Sequence, residues 1–391
     1  MNCASCGHET LPVMDFGRVA LAGAFLKHEQ FAAEKFYQLT LQFCEACLLA
    51  QVGEQIPASE LFENYFYHSS ATATMRAHFA NYARALVERF KPSNALEIGC
   101  NDGVLLRPLR ALGVEAVGVD PAGLADDLPI IRGYWPNVGL GDATRFDLIL
   151  ANNVYAHIED VNAATAAIAR ALAARGSFVF EVNRLDSLIA EQQYDWVYHE
   201  HRYYYSLLAL DSLLARHGLE VYDCEPIPTH AGSMRYFAAL RGAHEIECAV
   251  IEQRLRERKL GLDRVATFLD FAALAEAHRK VLRALVKSYA GSVSGYGACG
   301  RANTMLQWCG FGQEDIAYIV DDATAKHGFY TPGTHIPIVP REWARDVEAQ
   351  SCFVVFAWSF WREIEPKLAG YPGKVVIPLP GLCELRQRAA A

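Results

Sequence analysis

The chain of 391 residues is 52% hydrophobic and 21% charged, enough for two or three packed domains and too apolar for intrinsic disorder. Its 45 acidic against 36 basic residues leave a formal charge of −9, which argues against a protein held to nucleic acid by phosphate neutralisation. No apolar run approaches the ~20 residues of a membrane span, and the opening MNCASCGHET has neither the basic nor the apolar part of a secretory signal, so a cytoplasmic protein with no membrane partner is expected.

Residues 1–75 read as short strands and turns around two C-x-x-C pairs, Cys3/Cys6 and Cys44/Cys47. The other seven of the eleven cysteines stand singly and read as small buried thiols. Two pairs brought together give a four-thiolate tetrahedron, which closes the shell of Zn²⁺ and makes the ion structural rather than catalytic. It would staple a segment too small to build its own core. The 37-residue gap between the pairs is looser than a standard zinc ribbon, and a redox dithiol is the weaker alternative.

MRAHFANYARALVERF has helical periodicity and stops at Lys91-Pro92-Ser93. From Asn94 to Glu181, the strand-like ALEIG, VEAVGVD, FDLILANN and GSFVFEV alternate with helical RPLRALG and DVNAATAAIARALAAR, the pattern of a parallel sheet with crossovers. LEVYDCEP and MRYFAALRG extend it as strands. Helical spacing from Glu245 to about Ala290 leads to a second alternating unit after Gly291. The expected fold is α/β: two doubly wound sheets behind a small metal module.

Glu97-Ile98-Gly99-Cys100-Asn101-Asp102-Gly103 leaves a strand and enters a helix, where glycines let a ligand approach the backbone. Asp120 ends the next strand, 17 residues past Gly103, where an acid can accept from two ribose hydroxyls. Dinucleotide enzymes and S-adenosylmethionine (SAM) methyltransferases share this spacing. Asn101 in place of a second glycine, and the acidic Glu97, favour SAM over a dinucleotide, with an unliganded structural turn as the alternative. Gly295-Tyr296-Gly297-Ala298-Cys299-Gly300, with Asp321 21 residues after Gly300, is a formal dinucleotide fingerprint. Read alone it suggests NAD; its helix-start amides suit phosphate, and a purely structural turn is the alternative.

The densest cluster of acid/base groups is Tyr194-Asp195-Trp196-Val197-Tyr198-His199-Glu200-His201, following the strand SFVFEV and so expected over the carboxyl ends of the sheet. H-E-H lacks the one-turn spacing of a zinc-binding H-E-x-x-H. A proton-transfer histidine, with a pKa near ~6.5, is the sharper reading. His199 would face away from His201 in an extended segment.

These segments, together with Tyr65-Phe66-Tyr67-His68-Ser69-Ser70, ANNVYAHIEDV, Thr229-His230-Ala231-Gly232-Ser233-Met234-Arg235-Tyr236, GYGACGRANTMLQWCG and TPGTHIPI, occur in the order of the sugar C-methyltransferases of deoxysugar biosynthesis, and the chain resembles that family over nearly its whole length. The resemblance implies a zinc-binding domain (1–75), a class I SAM methyltransferase domain (76–243), and linking helices with a C-terminal Rossmann-like domain (244–391) that helps hold a nucleotide-linked 4-keto-sugar. A carbon beside a ketone attacks a methyl sulfonium only after losing a proton, so a base, a stabilised enolate and an in-line path are required. By the resemblance His201 is the base, with Tyr198 and Glu200 beside it. His157 is a second active-site histidine, Asn153 a substrate contact, and Tyr65 an active-site tyrosine, with Tyr67 as the alternative match and otherwise a substrate contact. Glu97, Gly99, Asn101, Gly103 and Asp120 would hold SAM. His230, Arg235 with its forked donors, Gly297 and Lys326 would approach the sugar or diphosphate. The third strand is compressed into PIIRGYW, and adenine recognition rests on Trp135, which reads equally well as a core residue.

Overall fold

The computed structural model describes residues 1–62, 69–70, 73–141, 144–228, 231–289, 293–344, 352–371 and 373–386. Near the N-terminus, β1 (Leu11–Ala20) pairs antiparallel with β2 (Phe36–Phe43), and β2 with β3 (Ala50–Val52); helix α1 (Ala58–Phe62) follows. One C-x-x-C turn precedes β1 and the other leaves the end of β2, so the antiparallel pairing brings the two together.

The middle unit opens with α2 (Ala73–Phe90), which buries Phe79, Tyr82, Ala83 and Leu86, a helical i, i+3, i+4, i+7 stripe, against the sheet. The chain continues through β4 (Asn94–Ile98), α3 (Leu106–Ala111), β5 (Glu115–Asp120), β6 (Ile130–Arg132), β7 (Phe146–Asn152), α4 (Val161–Ala171), β8 (Leu172–Asn183) and α5 (Leu185–Ala190). Next come β9 (Tyr203–Tyr204), α6 (Leu207–Ala215), β10 (Leu219–Ile227) and β11 (Ser233–Leu240). The sheet order is β10-β11-β8-β7-β4-β5-β6, with β4 to β8 parallel and β10 and β11 antiparallel. Leu148, Ile149, Leu150 and Ala151 of β7 are all fully buried because helices cover both faces, which is why this strand reads as an unbroken apolar run. The chain steps outward from β4 to β6 and then returns to β7 on the other side. The switch point therefore falls between β4 and β7, at their carboxyl ends, where ligands bind in such sheets.

Strand β9 does not join the middle sheet. It pairs with β3, Ala50 opposite Tyr204 and Gln51 opposite Tyr203, and completes the first sheet in the order β1-β2-β3-β9. Helices α7 (Cys248–Leu260) and α8 (Val265–Ser288) lead to the third unit. Its elements are β12 (Val293–Tyr296), α9 (Gly300–Cys309), β13 (Ile319–Val320), β14 (Ile338–Val339), β15 (Cys352–Val355), α10 (Trp361–Ile364), β16 (Lys374–Ile377) and β17 (Cys383–Arg386). They form a sheet in the order β14-β13-β12-β15-β16-β17, parallel except for β17. The first sheet shares a core with this unit: Phe43 stacks on Phe268 of α8 at 4.3 Å and Phe16 meets Trp308 of α9 at 5.2 Å. Among the described residues no helix is long and apolar enough to cross a membrane.

Candidate active site

The β4–α3 turn folds as its glycines require. Gly99 (φ +69°) and Gly103 (φ +76°) are left-handed, and a Cβ on Gly99 would come within 2.5 Å of Val154 in the loop after β7. Asn101 also takes positive φ, and its N–H donates to Asp120 Oδ2 at 2.9 Å. Asp120 Oδ1 accepts from Ala122 N at 2.8 Å and Gly123 N at 3.3 Å, so the acid expected at a ribose first of all braces two loops and keeps about one of its four lone-pair sites. Around the turn lie buried polar atoms without a hydrogen-bond partner among the described residues: Glu97 Oε2, Asp102 Oδ1 and both amide atoms of Asn152. Burial, reinforced by Asp120 and Asp102, holds the Glu97 carboxyl well above its ordinary range. Unsatisfied acceptors beside an electron-rich carboxyl are what a cationic amino-acid sulfonium would satisfy, so the residues fit SAM. Trp135 donates its indole N–H to Ala164 of α4 at 3.2 Å and packs with the core of the sheet.

The histidine segment lies at the same end of the sheet. The ring of His157, four residues beyond Asn153, is 4.8 Å from that of His201. Tyr198 OH and His201 Nε2 are 2.9 Å apart, and the His201 N–H donates to Tyr198 O at 3.0 Å, closing a tight turn. Desolvation, with the Arg202 guanidinium adding to it, lowers the His157 pKa to about 4, so this imidazole is neutral at physiological pH. Glu200 is buried: Oε1 accepts from Gly23 N at 2.8 Å, Oε2 has no partner among the described residues, and burial raises the carboxyl. His199 points the other way, its Nε2 3.3 Å from Gln38 O of β2, because the chain turns between Tyr198 and His201 rather than running extended. Asn153 has φ +55° and donates its N–H to Glu181 O at 2.8 Å.

The ligand atoms of Cys3, Cys6, Cys44 and Cys47 all lie within 4.8 Å of one another, with Cys3 and Cys47 Sγ 3.5 Å apart and Cys6 and Cys44 Sγ 3.5 Å apart. Zn–S bonds of ~2.3 Å in a tetrahedron give edges of roughly 3.8 Å, so the thiols fit a zinc ion and close its shell.

Other expected site residues are engaged elsewhere. Arg235 on β11 directs its fork at Glu181 (Nε to Oε1 2.9 Å, Nη2 to Oε1 2.5 Å) and at Glu225, over the Tyr82 ring. This corrects the expectation of a diphosphate partner: a phosphate would have to displace two carboxylates from a buried guanidinium. Lys326 Nζ donates to Ala298 O at 2.6 Å and lies 3.4 Å from Asp321, which itself accepts from Ala298 N at 2.7 Å; the lysine braces the second glycine turn rather than standing open. Gly297 (φ +92°) has no room for a Cβ, which would meet that of Ala357 at 2.3 Å. Tyr65, Tyr67 and His230 lie outside the described residues.

Two groups escaped the sequence reading. Arg202, 1% exposed, donates to His157 O at 3.1 Å, to Gln55 Oε1 at 2.7 Å and to Ile56 O, tying the β7–α4 loop to the first sheet. His78 of α2 lies 3.3 Å from Glu181, at the end of β8. An arginine beside a histidine cluster was the only sequence signal for the first; the second needed the helix to be docked.

Comparison with known proteins bears on this geometry. Residues 3–62 match the family profile of a zinc binding domain, 70–223 that of a methyltransferase domain, and 228–380 that of a C-methyltransferase C-terminal domain. The C-methyltransferase NovU of Streptomyces niveus is 33% identical over 401 residues, covering 97% of this chain and 95% of its own. A ubiquinone biosynthesis O-methyltransferase of Bartonella quintana is 29% identical over 155 residues, 34% of this chain and 63% of its own. Among solved structures, an S-adenosylmethionine-dependent methyltransferase of Clostridium acetobutylicum aligns with 43% of this chain and 92% of its own at 15% identity, with a TM-score of 0.36.

Proposed function

The chain belongs to the C-methyltransferase family and takes S-adenosylmethionine as its cofactor, and from that premise we propose that it methylates a nucleotide-diphosphate 4-keto-6-deoxysugar at C-3. SAM supplies an electrophilic methyl group on a sulfonium. His201 Nε2 removes the proton from C-3, and the freed electron pair moves into the C-3/C-4 enolate. Held by Glu97, Gly99, Asn101, Gly103 and Asp120, SAM would supply the methyl carbon that C-3 takes up as the enolate collapses, with the sulfur keeping the electron pair of the broken bond. Tyr198, hydrogen-bonded to His201, orients the imidazole before transfer and reaches the sugar afterwards. Neutral His157 offers an N–H to the enolate oxygen without adding a charge that would repel the protonated base. Buried Glu200 holds the Gly23 loop against the segment, and Asn153 contacts the sugar. Tyr65 and Tyr67 are proposed to complete the pocket. The observation carrying this reading is the 2.9 Å contact between Tyr198 and His201, with His157 at 4.8 Å, at the carboxyl end of the sheet where Glu97 lies.

The direct test is mass spectrometry on a panel of 4-keto-sugar nucleotides incubated with SAM, looking for a gain of one methyl. Exchange of a sugar C–H for solvent deuterium identifies carbon chemistry; methylation with no exchangeable carbon proton would point to transfer onto oxygen or nitrogen and overturn the enolate. His201→Asn is expected to lower turnover by more than about tenfold, a barrier increase above ~1.4 kcal/mol; a smaller loss removes His201 as the essential base.

A further inference from the structure

The imidazole of His201 is one end of a stack that runs into the C-terminal unit. The Trp196 ring lies 5.2 Å from it at an interplanar angle of 23°. The Arg301 guanidinium comes next, 4.5 Å from the Trp196 ring and 4.2 Å from that of Trp358. Arg301 is clamped by Asp195, the residue before Trp196: Nε donates to Oδ2 at 3.0 Å and Nη2 to Oδ1 at 3.1 Å, while Trp358 Nε1 donates to Oδ2 at 2.8 Å. Asp195 is fully buried and Arg301 is 7% exposed. Removing such a pair from water is costly, and an apolar replacement is often as stable, so stability alone does not explain it. Geometry does: a planar fork between two indoles fixes orientation in a way an ammonium cannot. Gly300, also in the first turn of α9, lies against Tyr198, where a Cβ would sit 3.9 Å from the ring. The first turn of α9 therefore touches the hydrogen-bond partner of His201 and holds its stacking partner.

We propose that Arg301 and Asp195 are positioning residues for the base: their pair locks Trp196, and Trp196 sets the plane of His201 so that Nε2 points to the place that Tyr198 OH holds before the reaction and the sugar C–H takes during it. This rests on the reading of His201 as the base. Among the described residues, the titratable groups facing that ring are Tyr198, His157 and Tyr204, with Arg202 next in the chain; none belongs to the stack.

The test compares Arg301→Lys, which keeps the charge and loses the plane, with Trp358→Phe, which keeps the ring and loses one of three donors to Asp195. Arg301→Lys is expected to slow sugar-carbon deuterium exchange by about 100-fold, with KM for the sugar nucleotide and Kd for SAM nearly unchanged, and Trp358→Phe to slow it far less. Trp196→Leu leaves the ion pair in place and should reproduce the loss, which covers the case in which Arg301→Lys does not fold. The His201 ring protons, assigned by their absence in His201→Asn, should lose the Trp196 ring-current shift in Arg301→Lys, a readout needing no substrate. That readout decides the clamp even if no sugar nucleotide is methylated, so failure of the substrate reading is separable. Unchanged exchange and unchanged His201 proton shifts in Arg301→Lys and Trp196→Leu would reduce the pair to a tie between units and overturn the proposal.

Discussion

At Glu97 a carboxyl is buried beside Asp120 and Asp102 with one oxygen that has no partner among the described residues, and burial raises its pKa well above the ordinary range. A cationic ligand favours the carboxylate, so binding SAM should expel a proton from this group. The sign follows: affinity for SAM rises with pH, because at low pH the proton must first be displaced. Calorimetry in buffers of different ionisation enthalpy should register proton release, and Glu97→Gln should abolish both the release and the pH dependence. The sequence marked Glu97 by its place before the glycines. Its unpartnered oxygen was not legible there, because it results from which side chains the sheet and α2 bring around it. Arg235 shows the converse. Its residue type suited a diphosphate, but the register that sets β11 Arg235 opposite β8 Glu181 gives the guanidinium carboxylate partners instead.

At the scale of elements, the zinc module and the strand that follows the histidine segment are one sheet. β3, which starts three residues after Cys47, pairs with β9, which starts two residues after His201, and Val52 N donates to Arg202 O at 2.9 Å. Loosening the metal turn should therefore disturb His201, the proposed base. Cys47→Ser, or zinc removal by a chelator, is expected to lower the melting temperature and to reduce turnover by about tenfold or more. A stability loss with turnover intact below the melting transition would show that β9 holds its place without the metal. The four cysteines were legible because thiolate pairs at short spacing announce themselves. The two-residue β9 was not: Tyr203-Tyr204-Tyr205 carries no period of its own and becomes a strand only because β3 offers it an edge.

For the whole molecule, three sheets converge on the histidine segment, and helix α7 is fixed against the middle unit. Glu257 of α7 is 1% exposed and accepts from Leu207 N at 2.8 Å and Leu208 N at 3.0 Å, capping the start of α6 from another helix. Burial outweighs these bonds and raises its pKa to about 7. The folded chain therefore holds a proton that the unfolded chain has released, and this group makes stability fall as pH rises from about 4.5 to 7. Glu257→Gln should flatten that slope in denaturant titrations across this range, while costing about 1 kcal/mol from the weakened cap. By itself the amino-acid order determined the alternating α/β plan and the cysteine site, and it marked the glycine-rich turn and the histidine segment as candidates, because each is written in local periodicity, spacing or residue type. Only the tertiary structure decided that β9 leaves its own unit, that Arg202 ties His157 to the first sheet, and that Arg301, far along the chain from His201, stacks behind its neighbour Trp196. Those are long-range pairings chosen by burial and register, and neither quantity exists until the chain has folded.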